Sequence, residues 1–354
     1  MKVNLIYNRM PHHAARSGYD QIARYLADRV PVERFEGDIP KIIPWRVWEW
    51  FTERSGEWIA NRSGMDWYDP YSLTLEARVA CRLLLSNAEI YHILYGEDTY
   101  CYLSAFNGIA HRKGNRLIAT YHQPPHIFDK VVRCKDVLNK LDAIIAVASN
   151  QAGYFASFVG KEKVFIVPHG VDTEYFHPLE HKSSDGKMCL FVGQWLRDFS
   201  MLEAVIRRVR ARDPNVKFKI ITRKDDGAIS GGLNNVIALE WLSDTDLVKA
   251  YQCADILVMP LIDCTANNVL LEGLSCGIPI VTTDVGGIRD YVDSACAFVV
   301  PPGDVEAMCD VIITLASNEC LRVIMGRQSR IRALTFDWRN VVNKLIDVYH
   351  VLTG

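Results

Sequence analysis

The chain reads as α/β, built from two doubly wound domains. Three observations predict this. Short apolar runs alternate with amphipathic stretches along the whole length, the pattern of parallel strands covered by helices. The 354 residues are long for one domain and comfortable for two. A hydrophobic content of 49% is enough for two cores.

The elements follow in order. In the first half the strands expected are Val3–Tyr7, Ile90–Leu94, Leu117–Tyr121, Ala143–Ala148 and Val164–Val167. In the second half they are Cys189–Val192, Lys217–Thr222, Val236–Leu239, Ile256–Met259 and Ile278–Thr282. Gly18–Asp28 and Met201–Arg210 are among the helical stretches that separate them. Leu179–Gly186 is polar and poor in apolar residues, as a linker would be. It divides a first domain, 1–178, from a second that begins at 187. Repeats and low-complexity tracts are absent from the sequence.

Composition narrows the function. A net charge of −2 gives no global field for nucleic acid or acidic membrane. The ten cysteines contain no C-x-x-C, and several, such as Cys253 and Cys296, lie in apolar runs. Reduced, mostly buried thiols in a cytoplasmic protein are expected. The opening Met-Lys-Val-Asn-Leu-Ile-Tyr is a strand start, and no apolar run is long enough to span a bilayer. No histidine, cysteine or carboxylate spacing suggests a metal site, so no metal or other cofactor is expected.

The stretch Asp263 to Asp284 carries the most chemistry. It reads as a loop, a helix, a Gly/Pro stop and a buried strand. Asn267, Asn268 and Val269 would open the helix that holds Glu272. Unpaired N–H groups and a partial positive charge at a helix start suit phosphate. Glu272, about one turn further on, would reach a ribose attached to that phosphate. An acidic residue among Val, Leu and Gly needs a partner if buried.

This stretch resembles the donor-binding segment of retaining glycosyltransferases of family four, with the two-Rossmann GT-B architecture. Their pattern is Glu-x7-Glu, a small-residue helix, Cys-Gly-x-Pro and a Val-rich strand. Glu272 matches the second glutamate; Cys264 stands where the first belongs. Val167-Pro-His-Gly-Val-Asp-Thr-Glu-Tyr-Phe-His-Pro178 is similar to the family's crossover between domains, Phe191-Val-Gly193 to the opening of its second domain, Val285-Gly-Gly-Ile-Arg-Asp-Tyr291 and Val300-Pro-Pro-Gly-Asp304 to its later loops, and Phe336-Asp-Trp338 to the segment that returns to the first domain. The resemblance covers roughly residues 160 to 354. It implies two Rossmann-like domains facing a cleft, with the donor domain at 187–335 and a helix at 336–354 returning to the first domain. It implies transfer of a sugar from a nucleotide-diphosphate donor to an acceptor hydroxyl, with retention and without a metal.

Candidate site residues lie just after strands, where open parallel sheets bind ligands. Arg197, beyond Gly193, is expected to neutralise a diphosphate. Arg223 and Lys224 share that role or are a solvated loop. Asp263 neighbours the vacant glutamate position and contacts the sugar or caps a turn. His122 ends a strand before Pro124 and Pro125; the resemblance points it at the transferred sugar. Glu97 and Asp98 are acceptor-binding candidates, with loop solvation as the alternative. Gly18 stands where the family has a glycine pair near the donor, or is a helix cap. His122, Asp263 and Glu272 form the candidate catalytic set.

Trp45, Trp48, Trp50, Phe51, Trp58 and Trp67 crowd one region with Arg46, Arg54 and Arg62. They are either a peripheral membrane or sugar-stacking surface, or a tryptophan-rich core under an extended loop. Gly273-Leu-Ser-Cys-Gly277 matches a hydrolase elbow, but with helix and strand in reversed order. Asp244-Thr-Asp246 matches a metal-binding pattern but reads better as a helix start. The partners expected are a nucleotide sugar and a glycan, lipid-linked or small-molecule acceptor. A nucleotide-sugar epimerase and a non-catalytic nucleotide-sugar binder remain as alternatives.

Overall fold

The computed structural model describes residues 1–8, 16–37, 45–180, 185–223, 234–240 and 242–354. The chain divides into two compact units. The first holds the described residues of 1–13, 18–168 and 339–354; the second holds those of 14–17 and 169–338.

The first unit is a six-stranded parallel sheet. Its strands are β1 (Lys2–Tyr7), β2 (Val32–Glu36), β3 (Glu89–Ile93), β4 (Arg116–Tyr121), β5 (Ala143–Ala146) and β6 (Val164–Ile166), in the order β2-β1-β3-β4-β5-β6. The central strands are largely apolar, because helices cover both faces, with Asn4, His92 and Thr120 buried among the apolar residues. Ile6, Tyr91, Leu117 and Ile144 pack in one core with Leu75, Val79, Phe128 and Phe155.

The second unit repeats the plan. Its strands are β7 (Met188–Val192), β8 (Lys217–Ile221), β9 (Val236–Leu239), β10 (Ile256–Met259), β11 (Ile280–Thr283) and β12 (Ala297–Val300). The sheet order is β12-β11-β10-β7-β8-β9, again parallel. Phe191, Val205, Ile220, Val258, Val281 and Ile312 belong to its core.

Both sheets reverse direction beside their first strand. The chain builds outward from β1 to β2 and then returns to β3 on the other side of β1. In the second unit it builds from β7 through β8 to β9, then returns to β10 beside β7. Loops leaving the C-terminal ends of strands diverge at such a reversal and leave a crevice, the place where doubly wound sheets bind ligands.

Two strands, β2 and β12, were not expected from the sequence. Both are edge strands. In β2 the run Val-Glu-Arg-Phe-Glu carries charges that an edge tolerates and a central strand would not. The tryptophan-rich stretch is a helix, Trp45–Ser63, and not an extended loop over a core. Trp50 and Trp58 are 56% and 65% exposed. All ten cysteines are thiols outside any disulfide; Cys296 is buried as expected, whereas Cys253 is exposed at the end of its helix. Among the described residues no helix is long and apolar enough to cross a membrane.

The units part at Pro168/His169, earlier than residue 178. The reason is local bonding. The His169 N–H donates to the Tyr291 hydroxyl at 2.9 Å, and the buried Ser275 hydroxyl donates to the Phe176 carbonyl at 2.6 Å. Arg330 donates to the carbonyls of Thr173 and Phe176 at 2.9 and 3.1 Å. These bonds tie 169–178 to the second unit. Residues 181–184 of the expected linker lie outside the described residues.

The two segments by which the chain enters and leaves the second unit pair with each other. Val171 N–H donates to the Phe336 carbonyl at 3.0 Å, and Trp338 N–H to the Val171 carbonyl at 3.2 Å. The Trp338 indole, 1% exposed, lies against Gly170 so closely that a Cβ there would sit 2.4 Å from ring carbons. A buried indole cannot step aside. Gly170→Ala should therefore cost about 1–3 kcal/mol, read as a lower urea midpoint. Trp338→Leu in the same chain should recover part of that loss.

Candidate functional site

In the second unit the loops after β7 and β10 meet. Arg197 and Leu261 pair as an antiparallel bridge: the Ile262 N–H donates to the Leu196 carbonyl and the Asp198 N–H to the Pro260 carbonyl, both at 2.9 Å. Asp198 then caps the helix Phe199–Arg212 through Met201 N–H at 2.8 Å. The result is a rigid platform at the sheet's reversal point, and Arg197 lies within it.

Arg197 is buried, and its guanidinium is held by uncharged acceptors. Nε donates to the Val192 carbonyl and Nη1 to the Trp195 carbonyl, both at 3.1 Å; Nη2 points to Asn267 Oδ1 at 3.4 Å. Among the described residues no carboxylate pairs with it. Burial pulls its pKa down to about 10, so it stays charged at neutral pH. Gly193 makes room for it. At φ 93° this residue turns the chain off β7 in a conformation that favours glycine, and a Cβ there would come within 3.0 Å of Nη2.

Asn267 caps the helix Asn268–Ser275, its side chain accepting from the Leu270 N–H at 3.4 Å. Helical geometry leaves the first N–H groups, those of Asn268 and Val269, without intrahelical acceptors. A buried cation and a helix N-terminus therefore converge on one spot. Such a combination suits an anion.

Glu272 is buried one turn into the same helix. Tyr251 donates to one of its oxygens at 2.7 Å, and the Ser17 hydroxyl donates to the other in a short bond. Burial pushes its pKa up to about 7, with the two hydroxyl donors opposing. Neither Ser17 nor Tyr251 stood out in the sequence. Ser17 comes from the segment after β1 that packs with the second unit, where Arg16 also lies 3.7 Å from Asp172.

Cys264 offers no charge. It is buried, its thiol donates to the Thr265 carbonyl at 2.9 Å, and burial raises its pKa to about 12. Asp263 Oδ1 accepts from the Cys264 N–H at 2.6 Å, a turn bond. Arg223 is exposed after β8, and Lys224 lies outside the described residues. Ser275, the elbow-like serine, is spent on the Phe176 carbonyl. Asp246 N–H donates to Ser243 Oγ at 3.1 Å, a helix cap as the sequence suggested.

In the first unit the loops after β1, β3 and β4 gather Gly18, Glu97, Asp98 and His122. His122 Nε2–H donates to the Leu94 carbonyl at 2.8 Å. A carbonyl can only accept, so the proton of the neutral ring is on Nε2. Burial lowers the imidazole pKa to about 4, keeping the ring neutral. Its backbone N–H donates to Glu97 Oε1 at 2.9 Å. Glu97 is buried and its pKa is raised by burial to about 7. Asp98 is also buried, its pKa raised well above the ordinary range by burial, and it accepts a short bond from Thr99. Neither carboxylate is on a solvated loop. Gln151 secures the loop after β4 by donating to the Tyr121 and Gln123 carbonyls, both at 3.0 Å. Gly18 precedes the turn Tyr19–Gln21 and accepts the Gln21 N–H at 3.3 Å.

Residues 186–318 match the family described as "Glycosyl transferases group 1". The D-inositol 3-phosphate glycosyltransferase of Saccharomonospora viridis is 26% identical over 216 residues, 53% of this chain and 50% of that protein. The chain thus aligns with about half the length of that relative. Two solved structures match nearly end to end. A sucrose-phosphate synthase from Thermosynechococcus elongatus has a TM-score of 0.70 at 15% identity, covering 99% of both chains. Anabaena HepE in complex with UDP has a TM-score of 0.69 at 14% identity, covering 99% of this chain and 100% of that one. The fold is the one these proteins share.

The Glu272 environment has a consequence for stability. Its folded pKa, about 7, lies above its ordinary 4.5. The native state therefore keeps a proton that the unfolded state has lost. The stability from this group is full below about pH 4.5 and is lost as pH rises through about 7. Glu272→Gln should flatten that part of the pH dependence, by up to about 1.4 kcal/mol per pH unit. Urea unfolding at a series of pH values checks it.

Proposed function

We propose that this chain is a glycosyltransferase that moves a sugar from a nucleoside-diphosphate sugar to an acceptor hydroxyl. The observation that carries the proposal is Arg197, a buried cation aimed at a helix N-terminus without a carboxylate partner among the described residues. Such a charge is costly to bury alone. A diphosphate would supply the missing anion. Glu272 would accept hydrogen bonds from the ribose, and Asn268 and Val269 would donate to the phosphates. The family match over residues 186–318 and the UDP carried by a structural neighbour support the same class of ligand.

In this reading the bond from the anomeric carbon to the leaving phosphate breaks while one forms to the acceptor oxygen. The acceptor proton passes to the departing diphosphate, and the sugar keeps its anomeric configuration. Arg197 and the helix N-terminus stabilise the charge that develops on the leaving group without requiring a metal. His122, neutral and with its proton on Nε2, offers the transferred sugar a hydrogen-bonding edge. Glu97 and Asp98 shape the acceptor side. Asp263, held by its own turn, has only a minor part.

Trp50 and Trp58 extend the reading to where the acceptor is met. They are exposed on one helix with Arg54, whose guanidinium lies 5.0 Å from the Trp50 ring, and with Arg62. Aromatic rings flanked by arginines suit a bilayer interface, so a lipid-linked acceptor is the favoured class.

Thermal unfolding with UDP, GDP, ADP, dTDP and CDP, with and without divalent metal, tests the donor site. One diphosphate should raise the midpoint in the absence of metal. Arg197→Met and Glu272→Ala should each weaken its binding roughly tenfold or more while the proteins stay folded. A wild-type midpoint indifferent to every diphosphate would sink the proposal.

A further inference from the structure

The loop after β3, residues 94–97, holds His122 at three points. The Leu94 carbonyl accepts Nε2–H at 2.8 Å, Glu97 Oε1 accepts the backbone N–H at 2.9 Å, and the Tyr95 ring lies against the imidazole with centroids 4.9 Å apart. Tyr19 closes the other side, edge-on at 4.9 Å. One tautomer and one ring orientation satisfy all of these contacts.

Tyr95 does more than pack. Its hydroxyl accepts the Tyr19 N–H at 2.9 Å and the Asp20 N–H at 3.4 Å, and reaches Asp20 Oδ1 at 3.4 Å. These are backbone groups of the first turn after Gly18, which has no side-chain cap of its own. The same side chain therefore fixes the His122 ring and the turn that opens the helix after β1.

We infer that Tyr95 and Glu97 are positioning residues, which set the tautomer and orientation of His122 and fix the Gly18 turn against it. For Glu97 this replaces direct contact with the acceptor. The inference rests on the transferase reading for its bearing on catalysis; the placement of His122 is testable without it.

The test uses the full-length protein with ¹⁵N-labelled histidine. His122→Gln assigns the His122 signals, and buried His92, bonded to Tyr349 and Thr120, is the internal control. Glu97, Asp20 and His92 are the ionisable neighbours whose own titration the fits must include. Wild type should show His122 neutral and protonated on Nε2 throughout the neutral range. In Tyr95→Leu the ring should sample both tautomers and titrate roughly one unit higher or more, as water reaches it. Glu97→Ala should loosen the ring, and Glu97→Gln, which keeps an acceptor oxygen, should restore it. Tyr95→Phe keeps the ring and loses the turn anchor. Its His122 signals should match wild type while donor KM rises roughly tenfold and kcat changes less. Unchanged His122 signals in folded Tyr95→Leu and Glu97→Ala would overturn the inference. If Tyr95→Leu does not fold, Glu97→Ala alone decides. Altered signals in a protein that transfers no sugar would leave the clamp standing and bring down the transferase reading.

Discussion

A guanidinium buried among carbonyl groups is the constraint around which the second unit's functional end is built. Arg197 cannot relax into solvent, because the loop that carries it is pinned by backbone bonds to the loop after β10. Its three acceptors are a strand-end carbonyl, a loop carbonyl and the cap residue of the next helix. Each satisfies a donor without cancelling the charge. Hydrogen bonds of this sort lower the cost of burial but leave an electrostatic field pointing outward. The helix Asn268–Ser275 adds its own positive end to that field.

The first unit solves a different problem with the same topology. Its reversal point also gathers loops from neighbouring strands, yet the group at its centre is a neutral imidazole. The surrounding carboxyl groups of Glu97 and Asp98 are buried deeply enough that their charged forms are disfavoured. A neutral ring enclosed by tyrosines and a carbonyl presents directional hydrogen bonding without a net charge. The second unit's site thus gathers positive charge, and the first unit's gathers uncharged hydrogen-bonding groups.

Much of the second unit's site could be read in the chain, because its groups are close in sequence. Gly193 and Arg197 share one loop, and Asn267 to Glu272 share one helix. Helix starts and strand ends have local signatures, so their chemistry follows from spacing. What escaped was long-range. The partners of Glu272 are Ser17, distant in sequence, and Tyr251 on the preceding helix. A lone serine or tyrosine has no pattern that betrays such a contact. Tyr95 was passed over for the same reason: its importance comes from what the fold brings to it. The edge strand β2 was missed because its edge position relaxes the apolar rule that made the other strands visible. The helix Trp45–Ser63 misled for a related reason: tryptophans suggest a core, yet two of them are exposed.

The cysteine at 264 has a physical meaning in this setting. Its thiol lies close enough to interact electrostatically with Arg197, but burial keeps it protonated. A carboxylate at this position would be drawn to the guanidinium and would spend part of its charge before any ligand arrived. With a neutral thiol there, no side chain at 264 cancels the charge of Arg197. On the proposed reading, affinity for a diphosphate gains from this arrangement, and recognition of the sugar rests on groups other than an acidic side chain at 264.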